Sequence, residues 1–233
     1  MAWYLASFIT HRASEDSFLC RNCWIILTAP NSDAAYDKSL DLAQSIVQKM
    51  SMEHSSQWML DGPSQLLRMD PPAPYREISW AESEMDSATL AGHVSTKDHL
   101  RAFQPDAGEH SGSGWYVCEL VVVEVHDVGS HGETLLVWTN THLIEAPDRE
   151  CAYKSALDLG RLHEDGHHRC DGDLAHWECR GLRDLLPAIE PPRDGALLWF
   201  EEFSTSPEEL RTRVPPRSEL GVFEWEATQR KET

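Results

Sequence analysis

Residues 29–42 read APNSDAAYDKSLDL, and residues 146–159 read APDRECAYKSALDL. The two stretches are identical at seven of fourteen positions, with a constant offset of 117 residues. The identical pairs are Ala29/Ala146, Pro30/Pro147, Ala35/Ala152, Tyr36/Tyr153, Leu40/Leu157, Asp41/Asp158 and Leu42/Leu159. Self-similarity at a fixed period is the signature of an internal repeat, so we interpret the chain as a duplication.

The repeat extends over most of the chain as spaced aromatic and acidic residues. They pair as Trp3/Trp115, Tyr4/Tyr116, Trp58/Trp177, Trp80/Trp199 and Glu82/Glu201. The offset changes only in stretches that are typical of loops, where insertions are tolerated. The sequence therefore predicts a first repeat over 1–104, a linker over 105–114, a second repeat over 115–225 and a tail over 226–233.

Each repeat has the pattern strand–strand–helix–strand–strand. In the first copy, apolar runs rich in β-favouring residues precede Pro30, which ends the second strand. After it, Tyr36, Leu40, Ala43 and Val47 are spaced by four, three and four residues, which places them on one face of a helix. We therefore predict an α+β fold: two tandem ββαββ repeats, each an antiparallel sheet covered by one helix, with a pseudo-twofold relation between them.

Charge and hydropathy limit the classes of partner. The chain has 233 residues and a net charge of −19, with 15 acidic and 8 basic residues up to Gly112 and 24 and 12 after it. An acidic field over both halves repels nucleic acid and anionic membranes and favours a basic protein partner, although solubility alone also accounts for it. We see no apolar run long enough to span a bilayer and no signal peptide, so a cytoplasmic protein is expected.

The spaced motif resembles a known family. It consists of Trp-Tyr on the opening strand, a strand ending in Ala-Pro, and a helix with Ala-Tyr and Leu-Asp-Leu. It closes with Trp-x-x-x-Gly-x-x-x-Leu-Leu, which begins at Trp58 and again at Trp177, and a last strand that carries tryptophan. This pattern resembles the bacterial domain of unknown function 4288, here in two tandem copies. The resemblance implies the ββαββ order and a bacterial cytoplasmic protein, and it carries over no activity and no catalytic residue.

The second repeat contains a cluster of potential metal ligands. Its members are His163, His167, His168, Cys170, His176 and Cys179. Zinc takes four nitrogen or sulfur ligands at short local spacings, so this loop could hold it. The spacings match no established zinc signature, and the first repeat has only His54 in the corresponding loop, so a solvated His-rich loop is the competing interpretation.

Two further patterns could carry chemistry. Cys20-x-x-Cys23 has the spacing of a redox pair or of half a zinc site, but it precedes a strand rather than a helix. The repeated carboxylates Asp41/Asp158 and Glu82/Glu201 could act as acids and bases, although solvent-facing positions explain them as well. None of the six cysteines recurs at an equivalent position, which favours free thiols over a disulfide framework.

The repeated aromatic residues are expected in the core. They are Trp3, Trp58, Trp80, Trp115, Trp177 and Trp199, with Tyr36 and Tyr153 on the helices. We assign no catalytic residue and no cofactor, and we leave the oligomeric state open. The leading hypothesis is a non-catalytic acidic interaction protein, of the immunity type or another partner-binding module, that binds a basic protein. The alternative is a protein that binds a metal or a small molecule through the loop at 163–179.

Overall fold

The computed structural model describes residues 1–13, 17–54, 57–105, 114–126, 134–162, 164, 167–170 and 173–229. The first repeat forms β1 (Ala2–Ala13), β2 (Phe18–Ala29), α1 (Ser32–His54), β3 (Met59–Met69), β4 (Glu77–Met85) and α2 (Ser87–His93), then 3-10 turns at Lys97–His99 and Arg101–Phe103. The second forms β5 (Trp115–His126), β6 (Leu135–Glu145), α3 (Arg149–Leu162), β7 (His167–Cys170), β8 (Asp173–Pro187), β9 (Ala196–Thr205), α4 (Pro207–Thr212), a 3-10 turn at Arg217–Glu219 and α5 (Gly221–Gln229).

The α+β prediction is confirmed. Two of the elements differ from those that the sequence predicts. The hairpin strand β7 was not predicted and has no counterpart among the described residues of the first repeat. Helix α5 continues to Gln229, so it includes the first residues of the region predicted as a tail at 226–233. No helix in the described ranges is long and apolar enough to cross a membrane.

The strands form two antiparallel sheets in the described part of the chain. One sheet has the order β3-β1-β2-β9, and the other has the order β4-β6-β5-β8-β7. In each sheet, the first two strands of a repeat form a hairpin, and the third strand pairs with the first. The strand that completes each sheet beside this hairpin is the fourth strand of the other repeat.

The chain divides into two compact units with boundaries at two diprolines. Unit 1 comprises residues 1–71 and 192–233, and unit 2 comprises residues 72–191. The boundaries fall between Pro71 and Pro72 and between Pro191 and Pro192. We call 72–105 and 192–229 the exchanged arms, because each leaves the unit formed by the rest of its own repeat. The predicted repeats are thus units of sequence that differ from the compact units, and the pseudo-twofold relation stays a prediction.

A bulge glycine in each sheet fits against the exchanged arm. Gly62 has φ +150° and Gly181 has φ +130°, a region that side-chain-bearing residues rarely adopt. A Cβ atom would lie 2.8 Å from Val214 Cγ1 at Gly62 and 3.0 Å from Val94 Cγ1 at Gly181. At Gly62 the ladder shows a β-bulge within a continuous strand, and the arm packs closely on the backbone there.

A cation links each long helix to an exchanged arm. In unit 1, the Arg217 guanidinium lies 4.7 Å from the ring centroids of both Tyr36 and Phe223, and it contacts Asp33 in the first turn of α1. These two rings pack edge to face at 6.2 Å, as aromatic pairs prefer. Tyr36 is therefore partly buried against the core rather than fully inside it.

Unit 2 contains the same arrangement. Lys97 Nζ lies 4.8 Å from the Phe103 ring and 5.2 Å from the Tyr153 ring, and it pairs with Glu150 at 2.6 Å. Phe103 and Tyr153 pack edge to face at 5.9 Å. In both units, a cation held by two rings and a carboxylate thus joins the long helix to the exchanged arm.

Candidate functional site

The structure separates the two thiols of the Cys20-x-x-Cys23 motif. They lie three positions apart on β2, so their side chains emerge on opposite faces of the sheet. Cys20 packs with Ile9 and Leu210, whereas Cys23 packs in the core beneath α1. Burial raises the pKa of Cys20 to about 11 and that of Cys23 to about 12. The two thiols therefore form neither a redox pair nor half of a shared metal site.

Only part of the candidate zinc loop can be placed. His163 lies outside the described residues, and of His167, His168 and Cys170 the structure describes the backbone but not the side chains. The ladder between β7 and β8 sets His167 directly opposite His176. Cys179 packs beneath α3 against Gly160, and burial raises its pKa. In the ranges that the structure describes, no group of three or more potential ligands could hold a metal ion, and the zinc site stays a prediction.

The repeated carboxylates lie on solvent-facing positions or face different surroundings. Asp41 is exposed on α1, and Asp158 is exposed on α3, where it pairs with Arg161 at 2.7 Å. Exposed pairs of this kind on a helix stabilise it only slightly. Glu82 is exposed on β4, whereas Glu201 is half-buried on β9. Within unit 1, Asp41 and Glu201 lie on different elements, α1 and β9, and within unit 2 Asp158 and Glu82 lie on α3 and β4.

The sheet register corrects the alignment of the fourth strands. Asn140 on β6 and Cys23 on β2 occupy corresponding positions, because the helix motifs that follow them are offset by 117 residues. Asn140 lies opposite Trp80, but Cys23 lies opposite Phe200, not Trp199. Trp80 therefore corresponds to Phe200, and by the same ladders Glu82 corresponds to Glu202. Because a shift of one residue reverses the faces of a strand, Trp80 and Trp199 project from opposite faces of their sheets.

This shift explains why one predicted core residue is exposed. Trp199 is 2% exposed and stacks on Trp24 at 5.0 Å, and Trp58 is also buried. Trp80 is 56% exposed, so its assignment to the core was wrong. The other repeated tryptophans, Trp3, Trp115 and Trp177, are partly buried.

Three tryptophans form a ladder on the helix-bearing face of the sheet in unit 2. Trp80 on β4 stacks on Trp138 on β6 with ring centroids 5.3 Å apart and an interplanar angle of 18°. Trp138 in turn contacts Trp177 on β8 at 4.9 Å and 41°. The inner two rings are partly covered, and Trp80 at the outer end is largely in solvent. Because Trp80 stacks on the ring of Trp138, its exposed ring offers a well-ordered surface on which another group can stack.

Unit 1 has a cation in the middle of the equivalent ladder. The Arg21 guanidinium lies 4.3 Å from the Phe200 ring and 4.8 Å from the Trp58 ring. Its Nε donates to Glu202 at 2.8 Å. Arg21 occupies the position that Trp138 holds in unit 2, as the common offset of 117 residues shows. Unit 1 therefore supplies its own guanidinium to two rings and a carboxylate, whereas unit 2 has Trp138 at the corresponding position.

Two carboxylates beside Trp80 have no cationic partner among the described residues. Glu82 and Glu84 are exposed on the same face of β4 as Trp80, and neither forms an ion pair or a hydrogen bond within the described part of the chain. At the start of the strand, Glu77 lies 3.9 Å from His142 Nε2, and partial burial raises the pKa of Glu77. We refer to Trp80, Glu82 and Glu84 as the Trp80 face.

Across the strand pair, Asn140 presents a buried acceptor. Its side chain is on the Trp80 side of β6, directly opposite Trp80. Asn140 is 5% exposed, and its Oδ1 accepts no hydrogen bond from the described residues. A buried carbonyl without a donor carries a desolvation cost, so a donor that reached it would be favoured.

A separate open cleft lies in unit 1. It has a volume of about 710 Å³ and is lined by the end of β3 with Asp70 after it and by Gly221, Val222 and Trp225 of α5. Trp225 is 54% exposed beside it. The lining carries one arginine and one aspartate, Arg68 and Asp70, and thus has no excess of either charge.

The comparisons identify one segment of the chain. Neither the curated proteins nor the solved structures include a match to this sequence. Residues 115–199, less than half of the chain, match the model of a family described as a domain of unknown function, DUF4288. The match begins with β5 and ends within β9, and it covers a single copy, so tandem copies stay a prediction. The segment from Trp115 to Trp199 is therefore similar to the DUF4288 domain.

Proposed function

We propose that the protein is a non-catalytic acidic interaction protein that binds a basic protein partner. The observation that carries this proposal is the Trp80 face, where an exposed tryptophan adjoins two carboxylates without partners in the described chain. Aromatic residues are enriched at protein interfaces, and complementary charge accelerates association. The net charge of −19 supports a basic partner and opposes binding to a nucleic acid backbone.

Chemical cross-linking in native lysate at low salt, followed by mass spectrometry, tests this function. The expected result is a basic protein whose affinity for the purified protein falls steeply as salt is raised, because screening weakens attraction between exposed charges. Recovery of neutral or acidic proteins alone, or an affinity that does not change with salt, would contradict the proposal. In the immunity-type form of the proposal, titration with this protein also inhibits the activity of the identified partner.

The second candidate function is metal binding by the loop at 163–179. The observation that favours it is the ladder between β7 and β8, which sets His167 and His176 opposite each other. Elemental analysis of the purified protein should then find stoichiometric zinc that is lost in the His167→Ala/His176→Ala variant and retained in a His99→Ala control. Protein without zinc after purification in zinc-supplemented buffer would exclude this candidate.

A further inference from the structure

We propose that β4 is a docking edge for an extended segment of a protein partner that carries arginine at alternate positions. This inference rests on the proposed function and specifies its site. The segment adds to the sheet of unit 2 as a further antiparallel or parallel strand, and its arginine side chains lie on the Trp80 face.

The backbone of β4 is available for pairing on one side. It is the terminal strand of its sheet and pairs with β6 alone among the described strands. Its residues from Trp80 to Glu82 are exposed on both faces of the strand. An exposed edge presents unpaired N–H and C=O groups, to which an extended peptide can add through main-chain hydrogen bonds.

The side chains of β4 repeat with the period of a strand. Trp80, Glu82 and Glu84 alternate along one face, which spaces successive members by about 6.6 Å. An added strand has the same period, so arginines at its positions i, i+2 and i+4 align with one ring and two carboxylates. Cation–π contact with tryptophan and charge-assisted hydrogen bonds with glutamate are the strong interactions available to arginine.

The equivalent site in unit 1 shows that these residue types bind a guanidinium. Phe200 and Glu202, the counterparts of Trp80 and Glu82, hold Arg21 of the same chain. In unit 2, Trp138 replaces this arginine, so Glu82 is left for a guanidinium from outside. Asn140 adds a buried acceptor opposite Trp80, and a guanidinium brings five N–H donors.

A second copy of this chain is not the occupant that the charges favour. Pairing of two β4 strands would bring Glu82 and Glu84 of both copies together, and like charges across a strand pair are destabilising. Acidic residues on an edge strand do discourage self-association. The exposed ring of Trp80, in contrast, favours association in water. A basic partner strand accounts for the exposed tryptophan and for the acidic residues.

Peptide binding to the full-length protein tests the proposal. One probe is a nine-residue peptide that alternates threonine and arginine, and the other is an isomer with the same arginines grouped at one end. Calorimetry at low salt should give a dissociation constant about tenfold lower for the alternating peptide, equivalent to about 1.4 kcal/mol. Trp80→Ala and the double variant Glu82→Gln/Glu84→Gln should each weaken its binding several-fold, with thermal denaturation confirming that the variants fold.

A charge-matched control distinguishes the site from the general field. The double variant Asp37→Asn/Asp41→Asn makes the same change in net charge on exposed positions of α1 and should change affinity less than twofold, about 0.4 kcal/mol. Two further peptides, N-methylated at alternate residues in either frame, test main-chain pairing. Methylation in one frame should abolish binding and in the other should leave it intact. The reason is that only the N–H groups of every second residue in a strand donate hydrogen bonds to a given neighbouring strand.

The outcomes separate the site from the function. Equal affinity for the two isomers, equal losses in the two double variants, or equal effects of methylation in both frames would each refute docking on β4. Those results would leave a diffuse attraction to basic proteins intact. If no basic peptide binds at low salt, this proposal fails, while a basic partner identified by cross-linking would still support the function itself.

Discussion

Tyr75 adopts a backbone conformation that normally favours glycine. Its φ is +63°, and it is the only described residue other than glycine with a positive φ. Tyr75 lies three residues after Pro72, and Gly195, with φ +83°, lies three residues after Pro192. The two residues therefore occupy equivalent positions in the exchanged arms, which are offset by 120 residues. Tyr75 is 49% exposed, so little packing offsets the strain of its conformation.

We expect Tyr75→Gly to raise the free energy of unfolding by about 0.5–1 kcal/mol, because glycine adopts this φ without a Cβ clash. Gly195→Ala should lower it by about 1 kcal/mol, since it introduces the same strain. The added Cβ would lie 3.5 Å from Leu42 Cδ2, an ordinary contact, so this loss reports the backbone. Urea denaturation of both variants measures these two stability changes, and a loss of stability in Tyr75→Gly would contradict strain at Tyr75.

The cysteines should differ widely in reactivity. Cys20, Cys23 and Cys118 are buried, and burial raises the pKa of each thiol, whereas Cys151 is exposed. At pH 8, a thiol with a pKa of 11 is thiolate in about one molecule in a thousand, and only the thiolate reacts. In a Cys170→Ser background, we expect a maleimide to modify Cys151 first and the three buried thiols only after unfolding.

Mass spectrometry of the labelled peptides checks this order over time. The additional change Cys151→Ser should remove the fast phase while the slow phase remains. Fast modification of Cys23 in the native protein would contradict the burial on which its raised pKa depends.

At the level of elements, α3 packs closely on its sheet at Gly160, although glycine is a poor helix former. A Cβ atom at Gly160 would lie 2.6 Å from Cys179 Sγ. The corresponding residue of α1 is Ala43, which is buried without this conflict. Glycine at this helical position therefore makes room for the sulfur of β8.

Gly160→Ala should lower the free energy of unfolding by about 1–3 kcal/mol, because overpacking outweighs the helix propensity of alanine. Adding Cys179→Ala removes the obstructing sulfur and should recover most of the loss, which gives a favourable coupling in a double-mutant cycle. Chemical denaturation of the wild type, the two single variants and the double variant measures this coupling energy. Additive losses in the double variant would contradict direct contact as the cause.

The sequence predicts most elements but not how the fourth strands align. The face of α1 follows from the spacing of Tyr36 and Ala43, and the observed helix runs from Ser32 to His54. Irregular pairing occurs at Ile78 in β4 and at Leu198 in β9, and a bulge leaves no gap in the sequence. Matching Trp80 to Trp199 by identity therefore selects the wrong face, and the Trp80 face becomes visible only from the ladders.

At the level of the molecule, the exchange of arms was not predictable from the repeat. The two diprolines are evident in the sequence. However, a diproline is compatible both with a turn that keeps the fourth strand in the sheet of its own repeat and with a connection that carries it to the other unit. Proline holds its own φ and shifts the preceding residue to an extended conformation, which suits a crossing. The choice between them depends on contacts between residues far apart in the sequence, such as Gly62 with Val214 and Gly181 with Val94.

Exchange predicts that the two halves stay together after the chain is cut. A protease site inserted within 106–113, which lies outside the described residues, would separate the repeats covalently. Because β4 pairs with β6 and β9 pairs with β2, each fragment contributes to both sheets. The fragments should therefore co-elute in gel filtration without denaturant and separate in guanidinium. Separate elution of two folded fragments under native conditions would rule out the exchanged strands.

The late position of β9 also has a consequence for synthesis. Strand β2 ends at Ala29, whereas the strand that covers its free side begins at Ala196. At about 5–20 residues per second, a ribosome needs roughly 8–35 s to make the intervening chain. During that interval the nascent protein carries an unfinished apolar sheet, which is a natural substrate for chaperones and a point at which slowed translation would promote aggregation.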